Sequence, residues 1–228
     1  LKMEDNAWSR AYLLVPKGDG AFPAAVCFHS TSNNTIDQPA GLADPGAKHF
    51  GKLLAERGYI TIMAENYIYN YRPGLATTAQ DTALYNARYP DRLWGVIAGN
   101  TIRFMKAHPG WTGLGKMIWD GMRCVDFLQS LSSVRKDKIG VIGHSLGGKE
   151  ALFLSAFDER IQCAVSSEGG IGLSFSNWFD PWYIGAKQSE MAGMDNHQVL
   201  ALAAPRPFLL LGGEASDGDR SYAFIHHA

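Results

Sequence analysis

The sequence predicts an α/β protein: a doubly wound, mostly parallel sheet flanked by helices. Three observations lead there. Strand-like and helix-like segments alternate along the 228 residues, as they do when helices cross over a parallel sheet. Several strand candidates are continuous apolar runs, the mark of strands covered on both faces. The pentapeptide Gly143-His144-Ser145-Leu146-Gly147 falls between a strand-like run and a helix-like one.

The elements follow in order. Tyr12-Leu13-Leu14-Val15-Pro16 is the first strand of the sheet, and Lys17-Gly18-Asp19-Gly20 is a turn. Ala24-Ala25-Val26-Cys27-Phe28-His29 is a buried strand, followed by the polar loop Ser30-Thr31-Ser32-Asn33-Asn34-Thr35. Residues 47–57 have helical spacing, with Phe50, Leu53 and Leu54 on one face and Gly58 as the stop. Residues 59–64 form a strand. Residues 66–115 are rich in Tyr and Trp and exceed what a crossover needs. They read as a substrate-facing insertion with one helix near 92–106. Residues 116–131 carry the apolar stripe Met117, Ile118, Met122, Val125, Leu128 and Leu131. Ile139-Gly140-Val141-Ile142 and Ile161-Gln162-Cys163-Ala164-Val165 are strands on either side of a helix that includes Gly148–Leu154. A second irregular segment, 169–185, precedes the last strand, Pro207–Gly212.

Bulk properties narrow the function. The length suits a single domain over 1–228. With 46% hydrophobic and 19% charged residues, the composition is that of a globular protein. A net charge of -1 argues against nucleic acid as a partner. No apolar stretch reaches the ~20 residues of a membrane span. The N-terminus does not resemble a signal peptide, although the first residue is Leu1 and an upstream segment removed from it is compatible with that. Cys27, Cys124 and Cys163 lie in apolar segments far apart and read as buried free thiols, which leans toward a reducing, cytoplasmic setting. No spacing of His, Cys or Asp points to a metal, no G-x-G-x-x-G opens a helix, and no cofactor is expected.

The chemistry centres on Ser145. A free hydroxyl is a poor nucleophile and must be presented, uncrowded, to a base and a carbonyl. A sharp strand-to-helix turn does this, and Gly143 and Gly147 supply the small flanks it needs. In a doubly wound sheet the ligand lies beyond the carboxyl ends of the strands. Those ends carry His29-Ser30-Thr31, Ser145, Glu168 and the run Glu214-Ala215-Ser216-Asp217-Gly218-Asp219.

With Trp119-Asp120-Gly121-Met122-Arg123, Gly143 to Lys149 and Ala204-Pro205-Arg206-Pro207, the chain resembles the α/β-hydrolase family. It is similar to dienelactone-hydrolase-like and acetyl-xylan-esterase-like enzymes, with glucuronoyl esterases as relatives. The resemblance implies hydrolysis of small-molecule or carbohydrate esters through an acyl-enzyme on Ser145. Leu146 and Thr31 would supply the oxyanion N–H donors, with Ser30 the alternative to Thr31. Asp217 is the preferred acid, Asp219 its fallback, and Glu168 the rival, 23 residues beyond the serine. Glucuronoyl esterases have an Arg where this chain has Leu146, which counts against uronate esters.

The base is harder to find. His29, His49, His108 and His144 precede the serine. His197 gives the order Ser, acid, His only with Glu168 as the acid. His226 and His227 follow Asp217 by only 9 and 10 residues. The expectation is therefore that the fold is C-terminally incomplete here, that the true base lies past residue 228, and that His226 is the candidate within the chain. A missing final helix would leave apolar surface near Leu209–Leu211 uncovered. A peptidase of the same fold, or a non-catalytic or truncated relative, remains the alternative. The aromatic residues Tyr67, Tyr69, Tyr71, Trp178, Trp182 and Tyr183 either line a pocket or fill the core.

Overall fold

The computed structural model describes residues 1–5, 7–43, 48–71 and 92–212. Strands β1 (Lys2–Glu4) and β2 (Ala7–Trp8) form a small antiparallel hairpin. The main sheet comprises β3 (Ala11–Leu14), β4 (Phe22–Phe28), β5 (Ile60–Ala64), β6 (Val134–His144), β7 (Ile161–Ser167) and β8 (Phe208–Leu211). Its spatial order is β3-β5-β4-β6-β7-β8, with β3 antiparallel to β5 and every other pairing parallel. The helices are α1 (Phe50–Glu56), α2 (Tyr67–Asn70), α3 (Arg92–Ala107), α4 (Gly113–Ser130), α5 (Leu146–Phe157) and α6 (Asn196–Leu202).

The predicted double covering is present. Val26, Phe28, Ile62, Ile139 and Val141 face one way and pack with Cys124, Val125 and Leu128 of α4 and Ala151 and Leu154 of α5. Ala25, Cys27 and Met63 face the other way and pack with Ile36, Ala40 and, from α1, Phe50 and Leu54. The continuous apolar reading of β4 follows from this, since its alternate residues enter two different cores. A third core gathers beyond the carboxyl ends. There Trp178, Trp182, Tyr183, Tyr67 and Tyr71 are all buried, together with Leu146 and Phe153. Of the six aromatic residues singled out in the sequence, Tyr67, Tyr71, Trp178, Trp182 and Tyr183 are thus core, and Tyr71 also borders a cavity.

The helix expected near 92–106 is α3. The hairpin β1–β2 and the single turn α2 carry too few residues to show a period, and pattern reading misses them. One expectation is corrected. Cys27 and Cys124 are buried, but Cys163 is exposed. It pairs in register with Gly140, which pairs with Ala25, so it points to the α1 face. On that face Leu209 and Leu211 of β8 are also exposed, 52% and 44%, whereas α1 packs with residues of β3, β5, β4 and β6.

Candidate active site

β6 ends at His144 and α5 begins at Leu146, leaving Ser145 alone in the turn. Its backbone has φ 56° and ψ −112°, in a region that L-residues rarely occupy. Such strain persists only where the surroundings over-determine it. Here they do. The Ser145 N–H donates to Ser167 O on the neighbouring β7 at 2.8 Å. A Cβ on Gly143 would run into the Gly147 backbone, and one on Gly147 would run into Phe28 O and stand 2.6 Å from Phe28 C. The two glycines are required by close approach of α5 to β6 and β4. Ser145 itself is half-exposed, above a helix whose residues from Leu146 to Ser155 are all buried.

The predicted oxyanion donors lie on two elements. Leu146 is the first residue of α5, where the N–H groups have no helical acceptor. Thr31 follows β4, whose Phe28 is in register with Gly143. Ser30 is buried and its hydroxyl donates to Gln38 Oε1 at 2.6 Å. Ser32 N donates to Tyr69 OH at 3.0 Å.

Glu168 directly follows the carbonyl that holds the Ser145 N–H. It too has positive φ, 54°, and its N–H donates to Leu211 O at 2.8 Å. Its backbone is therefore beside the elbow and half-exposed. Asp217, Asp219, His226 and His227 lie outside the described residues. The remaining histidines have structural contacts. His49 Nε2 is 2.9 Å from Ala43 O, His108 Nε2 is 2.9 Å from Tyr71 OH and 3.2 Å from Glu4, and His144 Nδ1 is 3.3 Å from Ser167 Oγ. His197 is half-buried in the first turn of α6, between the Asp195 and Gln198 of its capping box.

Two buried charges behind the serine escape sequence reasoning. Lys149 is 3% exposed. Its ammonium donates to Gly169 O and to Ser176 Oγ, the latter at 3.2 Å, and lies 4.6 Å from the Trp178 ring centroid. Glu150 is 4% exposed and accepts from Asn66 Nδ2 at 2.9 Å. Burial drives its carboxyl well above the usual carboxylate range. The available signal was two adjacent charges in a helix with no polar stripe to put them on. Ser176 also borders an open cleft of about 710 Å³ whose lining includes Ser174, Asn177, Phe179 and Gln188. The aromatic cavity between Tyr71, Trp111 and Trp119, about 610 Å³, does not include Ser145 in its lining. Among the described residues no group of three His, Cys, Asp or Glu could hold a metal ion, and no helix is long and apolar enough to cross a membrane.

A mostly parallel, doubly covered sheet with a serine in a left-handed strand-to-helix turn at its carboxyl edge defines an α/β-hydrolase fold. Within that class the likeness is to carbohydrate esterases. The family model described as "Glucuronyl esterase, fungi" matches residues 112–179, which span α4, the elbow and β7. The chain is 32% identical over 103 residues to YtaP, described as a hydrolase, of Bacillus subtilis (strain 168), covering 43% of this chain and 34% of that protein. It is 29% identical over 120 residues to 4-O-methyl-glucuronoyl methylesterase of Hypocrea jecorina (strain QM6a), covering 41% and 26%. In fold it matches a glucuronoyl esterase from Teredinibacter turnerae T7901 with TM-score 0.55 and 22% identity, over 91% of this chain and 53% of that one. These matches span about half or less of the relatives' length.

Proposed function

We propose that this chain belongs to a serine hydrolase that cleaves carboxylic esters, acetyl or carbohydrate-linked, through an acyl-enzyme on Ser145. The observation that carries the reading is the left-handed backbone of Ser145, held by Ser167 O and by glycine contacts that admit no side chain. Support for a carbohydrate ester comes from the likeness to carbohydrate esterases. Leu146 in place of the arginine favours esters other than uronates.

The reaction runs in two halves. A histidine base takes the Ser145 proton as Oγ attacks the ester carbonyl carbon. The oxyanion is held by the N–H groups of Leu146 and Thr31, ~3 kcal/mol for each donor. The tetrahedral intermediate collapses, the C–O bond to the alcohol breaks, and the base returns its proton to the departing oxygen. Water, deprotonated by the same base, then attacks the acyl-enzyme and frees Ser145. The base is His226 or a histidine following residue 228 in the whole protein. The acid that orients it is Asp217 or Glu168, and Glu168 gains support from its backbone position beside the elbow.

The test is labelling by a fluorophosphonate together with turnover of p-nitrophenyl acetate. Label on Ser145 and loss of both signals in Ser145→Ala is the expected result. Absence of labelling in the whole protein would make it a non-catalytic relative. Faster cleavage of amides than of esters would make it a peptidase.

A further inference from the structure

The elbow helix and the loop after β4 are joined by a buried polar chain that the reaction scheme leaves unused. His29, 2% exposed, lies between two backbone groups. Its Nε2 is 3.1 Å from the backbone N of Asn66 and its Nδ1 is 2.8 Å from Ser30 O. A backbone N–H can only donate, so Nε2 is the acceptor and the ring proton sits on Nδ1, where it donates to the Ser30 carbonyl. Burial lowers the His29 pKa, in keeping with a neutral ring. Asn66 is fixed in turn. Its Oδ1 accepts from Ile68 N at 3.1 Å, and its Nδ2 donates to Glu150 on the elbow helix. The chain therefore runs from α5, five residues past the serine, through the start of α2 to the loop that follows β4.

The peptide plane converts this into geometry. The Ser30 carbonyl and the Thr31 N–H belong to one planar trans unit and point in opposite directions. A carbonyl held onto the buried imidazole turns the Thr31 N–H away from it, toward the open side of the loop. The neighbouring groups are occupied, Ser30 Oγ by Gln38 and Ser32 N by Tyr69 OH. The Thr31 N–H makes no hydrogen bond among the described residues. We propose that His29 is a positioning residue for the oxyanion pocket. As the Nδ1–H tautomer, locked by Asn66 and Glu150, it sets the Ser30–Thr31 peptide so that Thr31 N–H faces the reacting carbonyl. The proposal rests on the esterase reading of Ser145.

The test separates the two ring nitrogens. In His29→Asn the amide Nδ2 replaces the Nδ1 donor, and in His29→Gln the Oε1 replaces the Nε2 acceptor. In the whole protein, with p-nitrophenyl acetate, His29→Gln is expected to lower kcat ~10²-fold with little change in KM, the loss typical of one oxyanion donor. His29→Asn is expected to retain kcat within about fivefold, as a rescued donor would. Long-range ¹H–¹⁵N NMR of the unsubstituted protein should show the Nδ1–H tautomer, a readout that needs neither turnover nor a stable variant. An Nε2–H tautomer, or equal losses in folded His29→Asn and His29→Gln, would overturn the assignment. Full activity of Ser145→Ala in the same assay would instead sink the esterase reading, so the two failures are distinct.

Discussion

Gly147→Ala should injure stability and catalysis together. The new Cβ would run into Phe28 O and stand 2.6 Å from Phe28 C and 2.7 Å from Phe28 Cβ. Ordinary contact begins near 3.4 Å, so relieving the contact with Phe28 O requires the gap to widen by about 1 Å. Two of the atoms it meets are backbone, and no rotamer change relieves them. Either β4 or α5 has to move. Overpacking of this kind costs ~1–3 kcal/mol, and a contact between two backbones falls at the upper end, about 3 kcal/mol. For a protein of this size each kcal/mol lowers Tm by ~2–4 °C, so a fall of about 6–12 °C is expected by calorimetry. The displacement also carries Leu146 relative to Thr31, since Phe28 leads into the loop and Leu146 opens the helix. A misplacement near 1 Å costs ~10²-fold in rate, read as kcat/KM on p-nitrophenyl acetate. A variant with Tm unchanged within 2 °C (the lower edge of the scale above) and kcat/KM within about twofold would refute the claim that α5 and β4 meet at position 147.

Other outcomes test separate parts of the structure. Asp120 is buried beside Lys116, and burial raises its pKa from 3.8 to about 6 despite that ion pair. The folded state then holds the proton more tightly than the unfolded chain. This contribution is full below pH ~4 and is lost as pH rises through ~6, on the order of 3 kcal/mol, so Asp120→Asn should flatten the Tm–pH curve over that window. Glu150→Gln keeps an acceptor for Asn66 Nδ2 and removes a carboxyl that burial disfavours, so its Tm at neutral pH should match or exceed that of the unsubstituted protein, whereas Glu150→Leu should lose ~1–3 kcal/mol by orphaning the amide. Titration of the native protein with a disulfide reagent should modify one thiol, Cys163, with Cys27 and Cys124 reacting only on unfolding; three reactive thiols would contradict the burial. Comparing Asp217→Asn with Glu168→Gln assigns the acid, since the true partner of the base should lose ~10⁴ in kcat and the other far less.

The sheet was legible because its physics is local. Strands covered on both faces are mostly apolar, as β4 is throughout and β5 is apart from Thr61, and a glycine-flanked serine after such a run has few other uses. The buried polar residues were not. Nothing in the sequence near His29 says that its ring bonds Ser30 and the Asn66 amide, 37 residues away. Nor does anything in the run Gly147–Leu154 say that Lys149 and Glu150 are buried, which depends on the enclosure of the helix. Likewise Cys163 sits in an apolar run, yet its exposure depends on which helix lies across β7, a tertiary fact. The two irregular segments left the roles of their aromatic residues open, because an aromatic ring has the same composition whether it lines a cleft or fills a core.

Enclosure of the helix that follows Ser145 has a bearing on how such a protein can change. Ten consecutive residues beginning at Leu146 have no freedom to tilt or slide without disturbing two cores at once. In the proposed reaction the Ser145 oxygen is thus mounted at the start of an enclosed helix, and the proposed rim of its crevice is the irregular connection 169–185, whose Gly169 meets that helix. New substrate preferences can arise by rewriting that rim and leaving the anvil beneath it untouched.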